Sequence, residues 1–240
     1  FVLGISSVGV YGVILGGWSS NNKFSLMGGL RSAAQMVSYE VPMGFAIVAV
    51  LLMAGSLSLV EIVQAQQDGL WFVFPGILAF GIYFVCGVAE TNRAPFDLGE
   101  AESELVAGYQ TEYSSMSFAL FWLGEYANIL LMCMLCAILF MGGWRIPFVS
   151  ASWMQDQDGF VGFLVGLLGL ISLLIKALIA YFVLIWVRMT LPRLRIDHLL
   201  NFNWKFLVPL SLVNLLVVAF VWKIIPNTDT INSAVDAIIP

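Results

Sequence analysis

Long apolar runs alternate with short polar stretches along this chain, and the runs set its organisation. A helix needs roughly 20 mostly apolar residues to cross the hydrocarbon of a bilayer. Six runs meet that length, at about 1–18, 40–60, 70–89, 117–141, 160–187 and 206–225. The pattern predicts an all-α membrane protein, a multi-span transmembrane helix bundle of six spans that forms one domain over residues 1–240, with a polar, acidic loop at 90–116. Gly12-x-x-x-Gly16 in the first span and Gly162-x-x-x-Gly166 in the fifth are spacings that allow helices to approach closely.

Composition agrees with the pattern. Hydrophobic residues make up 60% of the chain and charged residues 10%, with a mean hydropathy of +0.94, too little polar surface for a water-soluble domain. The chain begins at Phe1, already inside an apolar run, which suggests that an upstream portion is absent.

Basic residues segregate into alternate loops. Lys23 and Arg31 fall in the first, Arg93 in the third, and Arg188, Arg193, Arg195 and Lys205 in the fifth, whereas the opposite loops hold Arg145, with Lys223 near the outer end of the last span. Short loops rich in Lys and Arg stay on the inner side, so the odd loops are expected to face the cytoplasm or mitochondrial matrix and both chain ends the other side. Trp18, Trp71, Trp144, Trp153, Trp186 and Trp204 lie close to expected span ends, where indole rings suit the interface.

Several polar groups sit at costly depths. A charge at the centre of a span costs roughly 2.5–3.5 kcal/mol on insertion scales, so such residues face protein or water. Glu125 lies in the fourth span on a stripe with Trp122, Asn128 and Met132, and Lys176 lies near the middle of the fifth. For Lys176 a buried structural ion pair and a relay role are both open. Glu40 opens the second span two residues before Pro42, where plain capping of a helix N-terminus competes with a functional role. Cys86, Cys133 and Cys136 all fall in apolar segments, and the Cys133-x-x-Cys136 spacing reads as core packing rather than a metal or redox site.

The loop after the third span carries Glu90, Asp97, Glu100, Glu102, Glu104 and Glu112, six of the chain's 15 acidic residues, against Arg93 alone. If the segment from Asp97 is helical, Glu100 and Glu104 stack one turn apart and repel. Interleaved Phe96, Leu98, Leu105, Val106 and Tyr109 argue that it folds against something, with Gly99 and Gly108 as possible pivots. Carboxylates crowded in a partly buried place do not all ionise cheaply, which is what a proton path near neutral pH requires. On this reading Glu40, Glu90, Glu100, Glu102, Glu104, Glu112, Glu125 and Lys176 are candidate proton-relay residues. No G-x-G-x-x-G, P-loop or iron–sulfur cysteine cluster is present, and the lone histidine, His198, lies in a basic loop. Redox chemistry, if involved, comes from a partner.

Glu-Thr-Asn-Arg-Ala-Pro-Phe-Asp-Leu at 90–98, Glu-Ala-Glu-Ser-Glu-Leu-Val-Ala-Gly-Tyr at 100–109, Thr-Glu-Tyr-Ser at 111–114 and Gly-Glu-Tyr at 124–126 resemble the H subunit (also called subunit 1) of proton-translocating NADH:quinone oxidoreductase, respiratory complex I. The resemblance extends to Trp-Ser-Ser-Asn-Asn-Lys at 18–23, Leu-Arg-Ser-Ala-Ala-Gln at 30–35, Ser-Tyr-Glu-Val at 38–41, Trp-Val-Arg-Met-Thr-Leu-Pro-Arg-Leu-Arg-Ile-Asp at 186–197 and Trp-Lys-Phe-Leu-Val-Pro-Leu at 204–210. Members usually have two further spans before these, and Gly99 stands where they usually have Pro.

The resemblance implies a membrane subunit that forms part of the access chamber for ubiquinone, the substrate. Arg31, Gln35, Arg93, Asp97, Phe118 and Trp122 are the candidate quinone-binding wall, and the Glu series couples quinone reduction to proton translocation. NADH, FMN and iron–sulfur clusters are expected on partner subunits. The expected partners are hydrophilic iron–sulfur and quinone-site subunits, antiporter-like membrane subunits and the lipid bilayer, with no nucleic acid. The expected location is a bacterial inner (plasma) membrane or a mitochondrial inner membrane. Two other readings stay open: the homologous subunit of a membrane-bound hydrogenase or photosynthetic-type dehydrogenase, and a proton-coupled transporter built on the intramembrane Glu and Lys.

Overall fold

A computed structural model describes residues 1–66, 71–97, 99, 108–146 and 160–224. The described residues form helices joined by turns: α1 (Val2–Ser6), α2 (Gly9–Ser19), α3 (Lys23–Ala54), α4 (Leu59–Ala65), α5 (Ile77–Glu90), a single 3-10 turn (Gly108–Gln110), α6 (Ser115–Phe140), α7 (Phe160–Thr190), α8 (Ile196–Phe202), a π-helical stretch (Asn203–Leu207) and α9 (Val208–Ile224). The fold is an all-α, multi-span membrane bundle. Among the described residues, five helical stretches are long and apolar enough to cross a bilayer, namely Val2–Ser19, Lys23–Ala54, Ser115–Phe140, Val161–Thr190 and Ile196–Trp222. Where the sequence predicts its third span, the structure has turns at 71–76 followed by the 14-residue α5.

The central element is α3, which packs against α2, α5 and α9. Its 32 residues span ~48 Å at 1.5 Å per residue, well beyond the ~30 Å of a bilayer core. Asn22 starts it by accepting a hydrogen bond from the Phe24 amide at 3.0 Å, and Gly55 ends it in the left-handed conformation at φ 71°. This corrects two sequence expectations. The stretch containing Lys23 and Arg31 is helix rather than loop, and Glu40 lies midway along α3 rather than at a helix N-terminus, so helix capping does not account for it. Pro42 is accommodated inside the helix.

Hydropathy places the start of this helix too late because one face of its first half is buried in protein and carries polar residues. Ser25, Ser32, Gln35 and Ser38 are all buried, and Asn203 at the start of the π-helical stretch donates to the Ser38 carbonyl. The other half joins the core, in which Tyr39, Met43, Ala46 and Val50 of α3 meet Ile82, Tyr83 and Cys86 of α5 and Ile129, Cys133 and Phe140 of α6. All three cysteines are buried and free. The outer surface is apolar instead of polar, with Phe163, Leu167, Leu170, Ile175, Leu178 and Phe182 of α7 exposed, as expected where the surroundings are lipid or other subunits.

The close helix approach does not use the predicted glycine pairs as units. A side chain at Gly12 or Gly166 would meet nothing within 4 Å, whereas one at Gly17 would meet the Ser25 carbonyl oxygen at 2.8 Å and the Gly29 Cα at 3.4 Å. The tight α2–α3 crossing therefore rests on Gly17 and Gly29.

Candidate functional site

The site forms where α5 ends. Thr91 donates its hydroxyl to the Val88 carbonyl at 3.0 Å, and Asn92 takes φ +49°, which turns the chain sharply off the helix; the Ala94–Pro95 bond that follows is cis. The turned segment is held from three sides. Gln35 of α3 donates to the Ala89 carbonyl at 2.7 Å and to Asn92 Oδ1 at 3.2 Å. The Leu194 amide donates to the Pro95 carbonyl at 3.1 Å, and the Phe96 ring lies against Tyr39 at 5.6 Å.

These constraints aim Arg93 inward, where it is 7% exposed. Its guanidinium reaches Glu125 of α6 at 3.3 Å and lies over the rings of Tyr126 and Trp122, at 4.8 and 5.6 Å from their centroids. The other Glu125 oxygen accepts from the Tyr109 hydroxyl at 2.8 Å and from Gln110 at 3.2 Å. Glu125 thus gathers three donors from both ends of the acidic loop, which offsets much of the cost of placing a carboxylate in a half-buried position. Tyr109 is fixed in turn by an edge-to-face contact with Phe121 at 5.6 Å and by Ser25, which donates to its carbonyl at 3.1 Å.

Beside this cluster lies a cavity of about 570 Å³. Its polar wall is Glu90, Asn92, Tyr109, Glu125 and Asn128, and its apolar wall comes from α1 and α2, including Ile5, Val10 and Val13. Glu90 is 4% exposed, and its Oε2 has no hydrogen-bond partner among the described residues. A buried acid oxygen in that condition calls for water or a proton. Glu90 and Glu125 therefore border one space, one carboxyl clasped by donors and the other open.

The backbone approach of the acidic loop to α3 is unusually close. A side chain at Gly28 would meet Gly108 Cα, the Gly99 carbonyl oxygen and the Tyr109 amide nitrogen, each at 2.9 Å. Gly108 itself has φ +58°, a conformation that favours glycine, and a side chain at Gly99 would meet Ser32 Cβ and Oγ at 2.9 Å.

The remaining sequence-predicted residues divide. Asp97 pairs with Arg193 at 3.1 Å; burial pushes its carboxyl above the ordinary aspartate value, and Arg193 pulls it back. Trp122 meets Arg93, and Phe118 packs on Trp122 at 5.9 Å, both on the exposed side of α6. Arg31 and Glu40 are half-buried on α3. Glu112 is exposed and accepts from Asn22 at 2.8 Å, so it does not join the cavity. Among the described residues Lys176 makes no ion pair: its ammonium donates to the carbonyls of Gly143 and Arg145 at 2.9 and 2.6 Å and lies 5.0 Å from the Trp71 ring. That position is beyond the far end of α6 from Glu125, so the structure does not bring Lys176 to the carboxylates. Glu100, Glu102 and Glu104 lie outside the described residues.

Gln110, Asn92, Tyr126 and Arg193 belong to the arrangement without having been singled out from sequence. Neutral polar and aromatic residues in a loop carry no periodic signal, and Arg193 stood out only as one of several basic loop residues.

The chain matches the family described as NADH dehydrogenase over residues 1–219. It is similar to the H subunit of the NADH-quinone oxidoreductase of Paramagnetospirillum magneticum, at 50% identity over 221 residues that cover 92% of this chain and 61% of that protein. It is also similar to the proteins of the same name from Bacteroides thetaiotaomicron, 48% identical over 91% of this chain and 61% of theirs, and Granulibacter bethesdensis, 47% identical over 97% and 64%. The chain thus spans 61 to 64% of the length of these relatives. The extent of the family match and the level of identity establish that the chain belongs to the NADH dehydrogenase family.

Proposed function

We propose that this chain is a membrane subunit of an NADH:ubiquinone oxidoreductase, one that walls part of the quinone access chamber and couples quinone reduction to proton translocation through buried carboxylates. The observation that carries the reading is the shared cavity of Glu90 and Glu125, with Arg93, Tyr109 and Gln110 gathered on the second. The names of the relatives support quinone as substrate.

Chemically, the two carboxyls do different work. Reducing a quinone to a quinol consumes two electrons and two protons, so charge changes beside the loop that carries Arg93 and Asp97. Arg93 transmits that change because it contacts both the aromatic wall, through Trp122 and Tyr126, and the Glu125 carboxylate. When the guanidinium shifts, the charge balance around the Glu125 carboxylate changes, and that change is what the carboxylate series passes on. Glu90 faces the same cavity with an unpartnered oxygen and exchanges a proton across water. Glu40, half-buried just past Gln35 on α3, continues the series inward. NADH, FMN and the iron–sulfur clusters belong to hydrophilic partners, and antiporter-like membrane subunits receive the coupling. The setting is an energy-conserving inner membrane, bacterial or mitochondrial.

The test is made on the intact enzyme reconstituted in vesicles, with Glu125→Gln and Glu90→Gln variants. Proton uptake per NADH oxidised should fall sharply in each. Unchanged proton transport would remove that residue from the path.

A further inference from the structure

A second cavity, of about 520 Å³, lies apart from the carboxylate site and shares no lining residue with it. It is walled by Phe84 and Val88 of α5, Phe96 of the turned segment, Val187 at the end of α7, Leu194 of the linker and Phe202 of α8, and every residue lining it is apolar. Its volume falls within the ~300–1,000 Å³ of small-molecule sites. An apolar groove of this kind offers no hydrogen bond to hold a polar molecule by itself.

Two arginines adjoin lining residues along the chain. Arg188 directly follows Val187 in the last turn of α7, and Arg195 directly follows Leu194; both are exposed, and neither has a hydrogen-bond or ion-pair partner among the described residues. Arg193, between them, is already engaged by Asp97. Asp97 and the exposed Asp197 are set against Arg188, Arg193 and Arg195, so this stretch keeps an excess of positive charge. The same linker belongs to the basic loop set that the charge asymmetry assigns to the inner leaflet, where anionic lipids concentrate.

We propose that this groove binds one acyl chain of an anionic phospholipid whose phosphate is held by Arg188 and Arg195. The occupant follows from the two halves together. A free anion has no use for the apolar walls, and a neutral lipid has no use for the two unengaged guanidiniums. A bound chain would also brace Phe96 against α8, one residue from Asp97 and three from Arg93, so the site lies behind the segment that carries the proposed quinone wall.

The experiment uses the intact enzyme in phosphatidylcholine vesicles containing a small fraction of phosphatidylglycerol with a photoactivatable group at the chain end. After illumination, labelled peptides are mapped by mass spectrometry. Peptides covering Phe84–Val88 and Leu191–Leu194 should carry the anionic probe and, far less often, phosphatidylcholine bearing the same chain. Replacing both arginines with Gln should lower the anionic label on the order of 25-fold, because each cation near a membrane surface contributes about a fivefold factor. Replacing both with Lys should preserve it. Equal labelling by the two lipids, loss of label in the Lys pair as well as the Gln pair, displacement by a quinone with a long isoprenoid tail, or no label because another subunit covers the groove would each overturn the proposal.

Discussion

The guanidinium of Arg93 lies 3.3 Å from the Glu125 carboxylate and 4.8 Å from the Tyr126 ring centroid, so a single cation joins the turned segment after α5 to two residues on adjacent positions of α6. Removing either charge leaves the other partly buried without its ion-pair partner. Arg93→Ala should lower the stability of the purified protein by roughly 1.5–3 kcal/mol, the range for hydrogen bonds to charged groups. In a double-mutant cycle read by thermal unfolding, Arg93→Ala combined with Glu125→Gln should cost less than the sum of the single changes, with a coupling of roughly 0.5–3 kcal/mol. Strict additivity would mean that the contact contributes nothing.

Gly28→Ala should damage the loop without touching the carboxylates. Its new Cβ would press on backbone atoms at 2.9 Å, and a main chain cannot rotate away as a side chain does, so overpacking of roughly 1–3 kcal/mol is expected. Limited proteolysis next to Gly108 should become faster. Gly44→Ala on the same helix meets nothing within 4 Å in this chain and serves as the control; equal sensitivity in both variants would refute the close-contact account.

Lys176→Met should loosen the turn after α6, since two carbonyl contacts and the Trp71 ring contact are lost together. The expected change is a lower unfolding temperature and, on the proposed function, proton transport per NADH retained. If transport failed while thermal stability held, Lys176 would belong to the relay and not to the turn.

Asp97 provides a pH test. Burial raises its carboxyl above the unfolded value and Arg193 opposes the shift, leaving a folded state that binds its proton more tightly than the unfolded chain. The associated stability is complete below the ordinary aspartate value of about 3.9 and is lost as pH rises through the folded value. Asp97→Asn removes this dependence, so the stability difference between native and variant enzyme should change across the acid range and level off above it. A difference that stays flat from the most acid point upward would contradict the assignment.

How far the residues alone foretell this molecule depends on which solvent each one meets. Segments with an apolar exposed face, such as α7 with Leu167, Ile175 and Phe182, announce themselves by hydropathy. The first half of α3 does not, because Ser32 and Gln35 are buried in protein and look like loop residues to any scale that assumes lipid. At the site, Glu90, Arg93 and Glu125 stand out because ionisable groups near apolar runs are costly. Tyr109 and Gln110, which complete the Glu125 cluster, are ordinary loop residues until the 3-10 turn folds them back over α6. Lys176 shows the limit from the other side: its depth marks it as costly and leaves pairing and relay both open, and only the fold reveals that the carbonyls of Gly143 and Arg145 receive it.

At Gly28 the acidic loop rests on α3 through bare main chain, with no side chain wedged between them. Such a joint is a slip plane. Interdigitated side chains would have to climb over one another, whereas two smooth backbones shear past at small cost until a tether stops them. Here the tethers among the described residues are the Ser25 hydroxyl on the Tyr109 carbonyl, Gln35 on Asn92 and Asn22 on Glu112, so the play between loop and helix is metered by a few side-chain hydrogen bonds and not by packing.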